Sequence, residues 1–412
     1  MILHFKVVFK IKKIIILPLL LALVLCSCSH SATLTPDESI SEIASADKTN
    51  YVRAVWFTYY ELSAMIKDMS EEEFGSSIDA AFKNVSDMGF NTVTVQVRPY
   101  ADAFYRSSYF PTSEYAVKKQ GDSLSYDPLM IMCETANKYD LQIEAWVNPY
   151  RVSVKKDINT LSNKSVAFKW YKNKDKKSNV YVCSSGIYFN PASDDVTNLI
   201  ADGVREIVEN YSVCAIHFDD YFYPSTDKKI DENEYKSYLK NGGKCSLADF
   251  RRDKVSDMVK TVYSTVKSAD SKVRFGISPA SDIKNDRNAL YADVQKWASE
   301  KGYCDYICPQ VYFGFRNVYQ PFMFTVKKWI SFTNVDLYVG LPLYKSGKPD
   351  KYAAQEDKSI INEFVNNDNI ISRQITYLSK LDEVNGFYIF SYSSLSDAKC
   401  KAEVENMLKV MK

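Results

Sequence analysis

Histidine is scarce in this chain. Three occur in 412 residues, and two of them, His4 and His30, lie at the extreme N-terminus. Only His217 falls among the patterned segments, so a multi-histidine metal centre is excluded. An excess of charge is missing as well: 52 basic residues face 51 acidic ones. No broad field draws the chain to nucleic acid or to an anionic membrane surface. Nine cysteines are present, but not in a metal-binding or disulfide pattern. Cys26 and Cys28 belong to an N-terminal leader. Cys133, Cys214, Cys304 and Cys308 lie in apolar patterns, where a thiol acts as a small hydrophobe. Cys304 and Cys308 have no histidine or second cysteine pair nearby, so zinc is not expected. No metal and no organic cofactor is implied.

A membrane-spanning run is also lacking. The apolar stretch at residues 14–25, "IIILPLLLALVL", is too short to cross a bilayer and suits the core of a secretory signal. Basic "KVVFKIKK" precedes it and "LCSC" follows. Leu25 stands three places before Cys28, which makes Cys28 the expected lipidation site. Residues 1–28 therefore read as a lipoprotein signal peptide with a lipobox. Residues 29–50 are polar, without apolar periodicity, and read as a flexible linker. Residues 51–412 read as the folded domain. It is expected to be exported and lipid-anchored on the extracytoplasmic face of a bacterial membrane.

What the chain has in quantity is aromatic surface: 30 Tyr, 22 Phe and 5 Trp. Such rings fill cores and also stack on flat ligands such as sugars. From residue 51, short β-rich runs alternate with longer amphipathic stretches. Strands are expected at 52–58, 91–98, 141–148, 213–219, 272–278, 305–312, 336–343 and 385–392. Helices are expected at 71–89, 126–140, 195–211 and 246–269, then near 288–300, 320–332, 357–380 and 396–411. This alternation predicts an α/β fold, a (β/α)8 TIM barrel in a single domain. An open doubly wound sheet normally carries a glycine-rich phosphate turn after its first strand, and "VWFTYYELS" has none.

The two-residue period of a strand assigns faces. Thr94, Gln96 and Arg98 are expected to point into the barrel, as are Gln142, Glu144, Trp146 and Asn148, and Ala215, His217 and Asp219. Residues at the C-terminal strand ends line the usual active-site mouth. They are Arg98, Trp146, Asn148, Tyr150, Arg151, Asp219, Asp220, Tyr221, Gln310, Tyr312 and Tyr392, and inward-facing Glu144 is expected to bind substrate with them. Amides, carboxylates, guanidinium groups and rings around one mouth suit a polyhydroxylated ligand. Paired carboxyls do the proton work of glycosidic cleavage, so Asp219 and Asp220 are the catalytic candidates. Both reach one ligand only if the strand breaks between them, and "DYFYP" reads as a loop. His217, one inward position below Asp219, is expected to orient it and tune its proton affinity. Residues 152–187 form a long Lys- and Asn-rich insertion, either a substrate lid or a solvated loop.

The segments "GFNTVTVQVRPYADAFYRSSYFP", "EAWVNPYR", "YFNPASDDVTNLIADGVREIVENYSVCAIHFDDYFYP", "PQVY" and "GFYIFSYSSL", in that order, resemble the glycosyl-hydrolase-like family 10 domain. This bacterial exported family is distinct from family 10 xylanases. The resemblance covers about residues 51–395 and implies a TIM-barrel hydrolase. It also implies a cell-wall substrate, because some members are lipoproteins that cleave peptidoglycan glycan strands stripped of stem peptides. Two positions depart from the family pattern. Cys214-Ala215 stand where the family usually has Asp-Gly, and Glu144 stands where it often has His. A substrate-assisted route through the sugar's N-acetyl group is open, with the roles of Asp219 and Asp220 unassigned. The alternatives are a non-catalytic glycan-binding lipoprotein and a hydrolase of another extracellular polysaccharide.

Overall fold

A computed structural model describes residues 50–411. The signal peptide, Cys28 and the linker up to residue 49 lie outside the described residues. Eight parallel strands close into a barrel. In chain order they are Val52–Phe57, Thr92–Arg98, Gln142–Val147, Ala215–Phe218, Arg274–Ile277, Tyr306–Ile307, Asp336–Leu341 and Val384–Ile389. Each pairs with its neighbour in sequence, and the eighth closes on the first, with Val52 opposite Gly386. All eight expected strands form.

Alternation sorts the side chains into two apolar layers. Val93, Val95, Ile143, Ala145, Ile216 and Phe218 pack outward beneath the helices. Trp56, Trp146, Ala215, Tyr306, Tyr338 and Tyr388 fill the barrel interior. The helices supply the complementary stripe. Glu71–Asp87 buries Phe74, Ile78, Ala81, Phe82 and Val85, and Ser70 with Glu73 forms a capping box at its start.

The elements deviate where backbone chemistry overrides the pattern. The sixth strand is short because Pro309 has no N–H for the ladder. Pairing resumes at Gln310, which bridges to Ala280 and Gly340. The helix expected at 357–380 splits into Lys358–Ile361, Glu363–Asn366 and Ile370–Ser379. Asn362 and then Asn367, Asp368 and Asn369 interrupt it, and such side chains compete for backbone hydrogen bonds. The insertion is folded. Arg151–Ser153, Val180–Cys183 and Gly186–Phe189 make a separate antiparallel sheet, with the helix Val166–Lys172 beside it.

One glycine makes the interior possible. Gly276 on the fifth strand sits opposite His217 on one side and Tyr306 on the other. With no side chain between them, the Tyr306 hydroxyl reaches the His217 Nδ1 at 3.0 Å. A Cβ at position 276 would lie 1.9 Å from the Tyr306 ring. Gly276→Ala is therefore expected to destabilise the protein by about 1–3 kcal/mol through overpacking. Urea unfolding of the variant against wild type measures this; equal midpoints would contradict it.

Candidate active site

The fourth strand ends at Phe218, whose carbonyl accepts from the Ser278 N–H at 2.7 Å. Asp219 and Asp220 lie just beyond, where strict face alternation no longer separates them. Asp219 continues the inward series of Ala215 and His217 and is 3% exposed. Its Oδ2 accepts from Trp146 Nε1 at 2.9 Å and from Asn148 Nδ2 at 2.6 Å. Its Oδ1 accepts from the Tyr221 N–H at 3.3 Å. Asp220 is half-buried, with a side-chain hydrogen bond from Gln310.

The donor set on Asp219 is wired by direction. The Tyr59 N–H donates to Gln96 Oε1 at 3.0 Å, which turns Gln96 Nε2 toward Asn148 Oδ1 at 2.7 Å. That in turn leaves Asn148 Nδ2 for the carboxylate. A backbone N–H is only a donor, so the orientation of both amides follows from the first link.

Burial pushes the Asp219 carboxyl up and the charge of Asp220 adds to it, while Arg151 opposes, leaving it at about 7. Burial raises Asp220 too, against its hydrogen bonds and Arg151. The two titrate as a pair that keeps a proton to near-neutral pH. A third acid stands close by. Asp286, on the helix Ile283–Asn288, is fully buried, and both its carboxyl oxygens are without a hydrogen-bond partner among the described residues. Burial, then the charges of Asp220 and Asp282, push it to about 9, so it is neutral at pH 7. The sequence pattern carried no signal for it.

Aromatic and cationic groups surround the acids. The Arg151 guanidinium lies between the Tyr221 ring at 4.1 Å and the Tyr100 ring at 4.6 Å, and donates to the Tyr100 hydroxyl at 3.0 Å. Tyr100 in turn meets the Tyr59 hydroxyl at 3.0 Å. Tyr312 packs against Tyr344 and Phe390 and feels the charge of both Asp219 and Asp220. Gln310 also donates to the Ser278 carbonyl at 3.0 Å. Trp146, Asn148, Arg151, Tyr221, Gln310 and Tyr312 are thus brought together with the two aspartates.

Five expected positions fall elsewhere. Arg98 does not point into the barrel. The register shifts between Gln96 and Arg98, and this bulge at Val97 reverses the face of the next residue. Arg98 lies over the Phe110 ring at 4.3 Å, beneath the helices. Tyr150 follows the strand end and packs in the same outer layer, with its hydroxyl buried and without a hydrogen-bond partner among the described residues. Tyr392 stacks on Phe57 at 4.3 Å, also on the outer face. Glu144 points inward but lies below the mouth, accepting from Thr94 at 2.8 Å and from Tyr388 at 2.8 Å.

His217 is likewise a core residue. Its Nε2 accepts from Trp56 Nε1 at 3.2 Å, and its Nδ1 meets Tyr306. Indole only donates, so Nε2 is unprotonated and the ring is neutral. Burial depresses its pKa to about 3. Its hydrogen bonds go to Trp56 and Tyr306, with Glu144 Oε2 at 3.6 Å, and not to Asp219.

Comparison with known proteins agrees with this geometry. Residues 51–357 match the family described as Glycosyl hydrolase-like 10. Glycosyl hydrolase YngK of Bacillus subtilis (strain 168) is 31% identical over 389 residues, covering 87% of this chain and 71% of that protein. Glycosyl hydrolase DigH of Escherichia coli (strain K12) is 30% identical, covering 93% of each. Among solved structures, the PgaB (BpsB) glycoside hydrolase domain from Bordetella bronchiseptica has a TM-score of 0.58 at 12% identity, over 88% of this chain and 99% of that one. The catalytic domain of beta-amylase from Paenibacillus polymyxa has a TM-score of 0.54 at 10% identity, over 90% and 100%. These two share the fold. The family match, with about 30% identity along most of the chain, means that the chain belongs to the glycosyl hydrolase-like 10 family and is a glycoside hydrolase.

Proposed function

We propose that this glycoside hydrolase is tethered to the membrane by a lipid on Cys28 and cleaves cell-wall glycan, specifically peptidoglycan strands lacking stem peptides. The observation that carries the catalytic part is the unequal environment of two adjacent carboxyls. Asp219 accepts three N–H donors and is the more deeply buried of the two. Asp220 is more open. N–H donors on both oxygens favour the anion of Asp219 against the burial that raises both carboxyls, and the one proton of the pair is assigned to Asp220. In this reading Asp219 stabilises positive charge at the sugar and orients the N-acetyl group. Asp220 holds the shared proton and delivers it to the leaving oxygen.

The substrate assignment is supported by the resemblance, by the export-type N-terminus and by Arg151. Two rings frame the Arg151 guanidinium at the mouth. Its planar fork suits the free lactyl carboxylate of a muramyl residue that has lost its peptide. His217, Glu144, Arg98, Tyr150 and Tyr392 have no direct part in this reading; they hold the scaffold.

Three outcomes are expected. Asp219→Asn and Asp220→Asn should each lower release of oligosaccharides from denuded glycan by about 10²–10⁴-fold while leaving binding intact. Chromatography of products and a pull-down on insoluble glycan read the two effects. Release from a different polysaccharide alone would move the substrate assignment.

The pH dependence follows from the sign of the shift. A raised carboxyl keeps its proton below its folded value and loses it above. Burial holds the proton shared by Asp219 and Asp220 above the ordinary carboxylate range, so turnover should fall as rising pH removes it. A rate profile flat to pH 9 would contradict the shared-proton scheme. Cys28→Ala should shift the protein from the membrane pellet to the soluble fraction of fractionated cells. Unchanged sedimentation would remove the tether.

A further inference from the structure

Two loops on the same barrel end as Asp219 meet along a seam. One joins the second strand to the helix Pro128–Lys138, and the other is the insertion after the third strand. The Ser162 N–H donates to Gln120 Oε1 at 3.0 Å, and Gln120 Nε2 donates to Asp102 Oδ2 at 2.9 Å. Lys164 Nζ donates to the Gly121 carbonyl at 2.6 Å, and Lys155 pairs with Glu114. Gly121 has φ +86°, and a Cβ there would come within 2.7 Å of Ser162 Oγ. The close approach of the two loops thus depends on a residue without a side chain.

The seam borders a cleft of about 440 Å³. That is within the usual range for a small-molecule site, about 300–1,000 Å³. None of Trp146, Asn148, Arg151, Asp219, Asp220 or Tyr312 lines it. Its charged lining is Arg106, Lys164 and Lys169 against the single carboxylate of Asp122. Arg106 and Lys169 are exposed, and Arg106 donates from Nη2 to the Ser125 carbonyl at 3.2 Å. Tyr109, on the same wall, is 39% exposed. Cations beside an accessible ring match the two faces of an acidic sugar. The ring stacks on the sugar's C–H face, and the cations take its carboxylate.

We propose that this cleft is a second binding site for carboxylate-bearing glycan, holding part of a strand outside the active-site mouth. The proposal rests on the reading above that the substrate carries free lactyl carboxylates. Arg106 and Lys169 are the recognition groups, and Lys164 sets the wall through Gly121. The mouth binds the sugars at the scissile bond, and the cleft selects for charge along the strand.

The test uses the full-length protein in detergent with Asp219→Asn to stop turnover, titrated calorimetrically with two probes of equal length. One is a denuded peptidoglycan oligosaccharide; the other is a neutral N-acetylglucosamine oligomer. Adding Arg106→Glu and Lys169→Glu should weaken binding of the carboxylated probe by about tenfold or more and flatten its salt dependence. The neutral probe should bind as before. Unchanged affinity for the carboxylated probe, or equal loss for both probes, overturns the cleft. Should the double variant fail to fold, Lys169→Gln at its exposed position must move the carboxylated probe alone in the same direction. Hydrolysis by the enzyme with Asp219 intact is measured beside it. Charge-selective weakening without hydrolysis keeps the cleft and overturns the substrate reading; hydrolysis without charge-selective weakening does the reverse.

Discussion

The side chains of the barrel interior are buried, and that constraint fixes how its polar groups are arranged. Every buried donor there must find an acceptor within the ring of strands. Trp56 donates to His217, His217 meets Tyr306, and Glu144 collects Thr94 and Tyr388. A further hydrogen bond links Tyr306 to Glu144. Side chains from the first, second, third, fourth, sixth and eighth strands join one network. Arg274 and Tyr338 tie the fifth strand to the seventh at 2.5 Å. Slipping any strand by one residue would turn its polar group to the helix side and strand its partners. The network therefore holds the register that delivers Asp219 to the mouth.

Much of this was legible because a period of two is a strong signal. Val93 and Val95, Ile143 and Ala145, and Ile216 and Phe218 all pack outward as their spacing requires. The acids at 219 and 220 were legible for a different reason: an apolar run that stops at Phe218 marks where a strand ends. What stayed hidden lay where the period fails. The bulge at Val97 adds a residue that no composition reveals, and it carries Arg98 to the wrong face. Tyr150 and Tyr392 sit beyond the strand ends, where alternation has no force. In the fourth strand the spacing placed His217 inward correctly, but not which neighbours it would meet. Those come from strands distant in sequence, at Trp56 and Tyr306.

The site also shows how a chain with balanced charge makes a local imbalance. Asp219, Asp220 and Asp286 stand near one another, with Arg151 as the cation acting on the first two. Burial keeps Asp286 protonated, so it adds a carboxyl without adding a charge. The working pair is left with one proton between two oxygen sets of different hydrogen-bonding capacity. That asymmetry comes from neighbours on the second and third strands, so it belongs to the scaffold as much as to the fourth-strand acids.

The amide relay that ends on Asp219 begins at the Tyr59 N–H, in the first turn of the helix Tyr59–Ile66. Groups in a first turn have no partner inside their own helix. The polarity of the whole relay is thus anchored by main chain rather than by a side chain. Drift at position 59 can alter the aromatic packing around Tyr100 yet leave the relay's direction untouched. Proline alone, which has no N–H to give, would erase it.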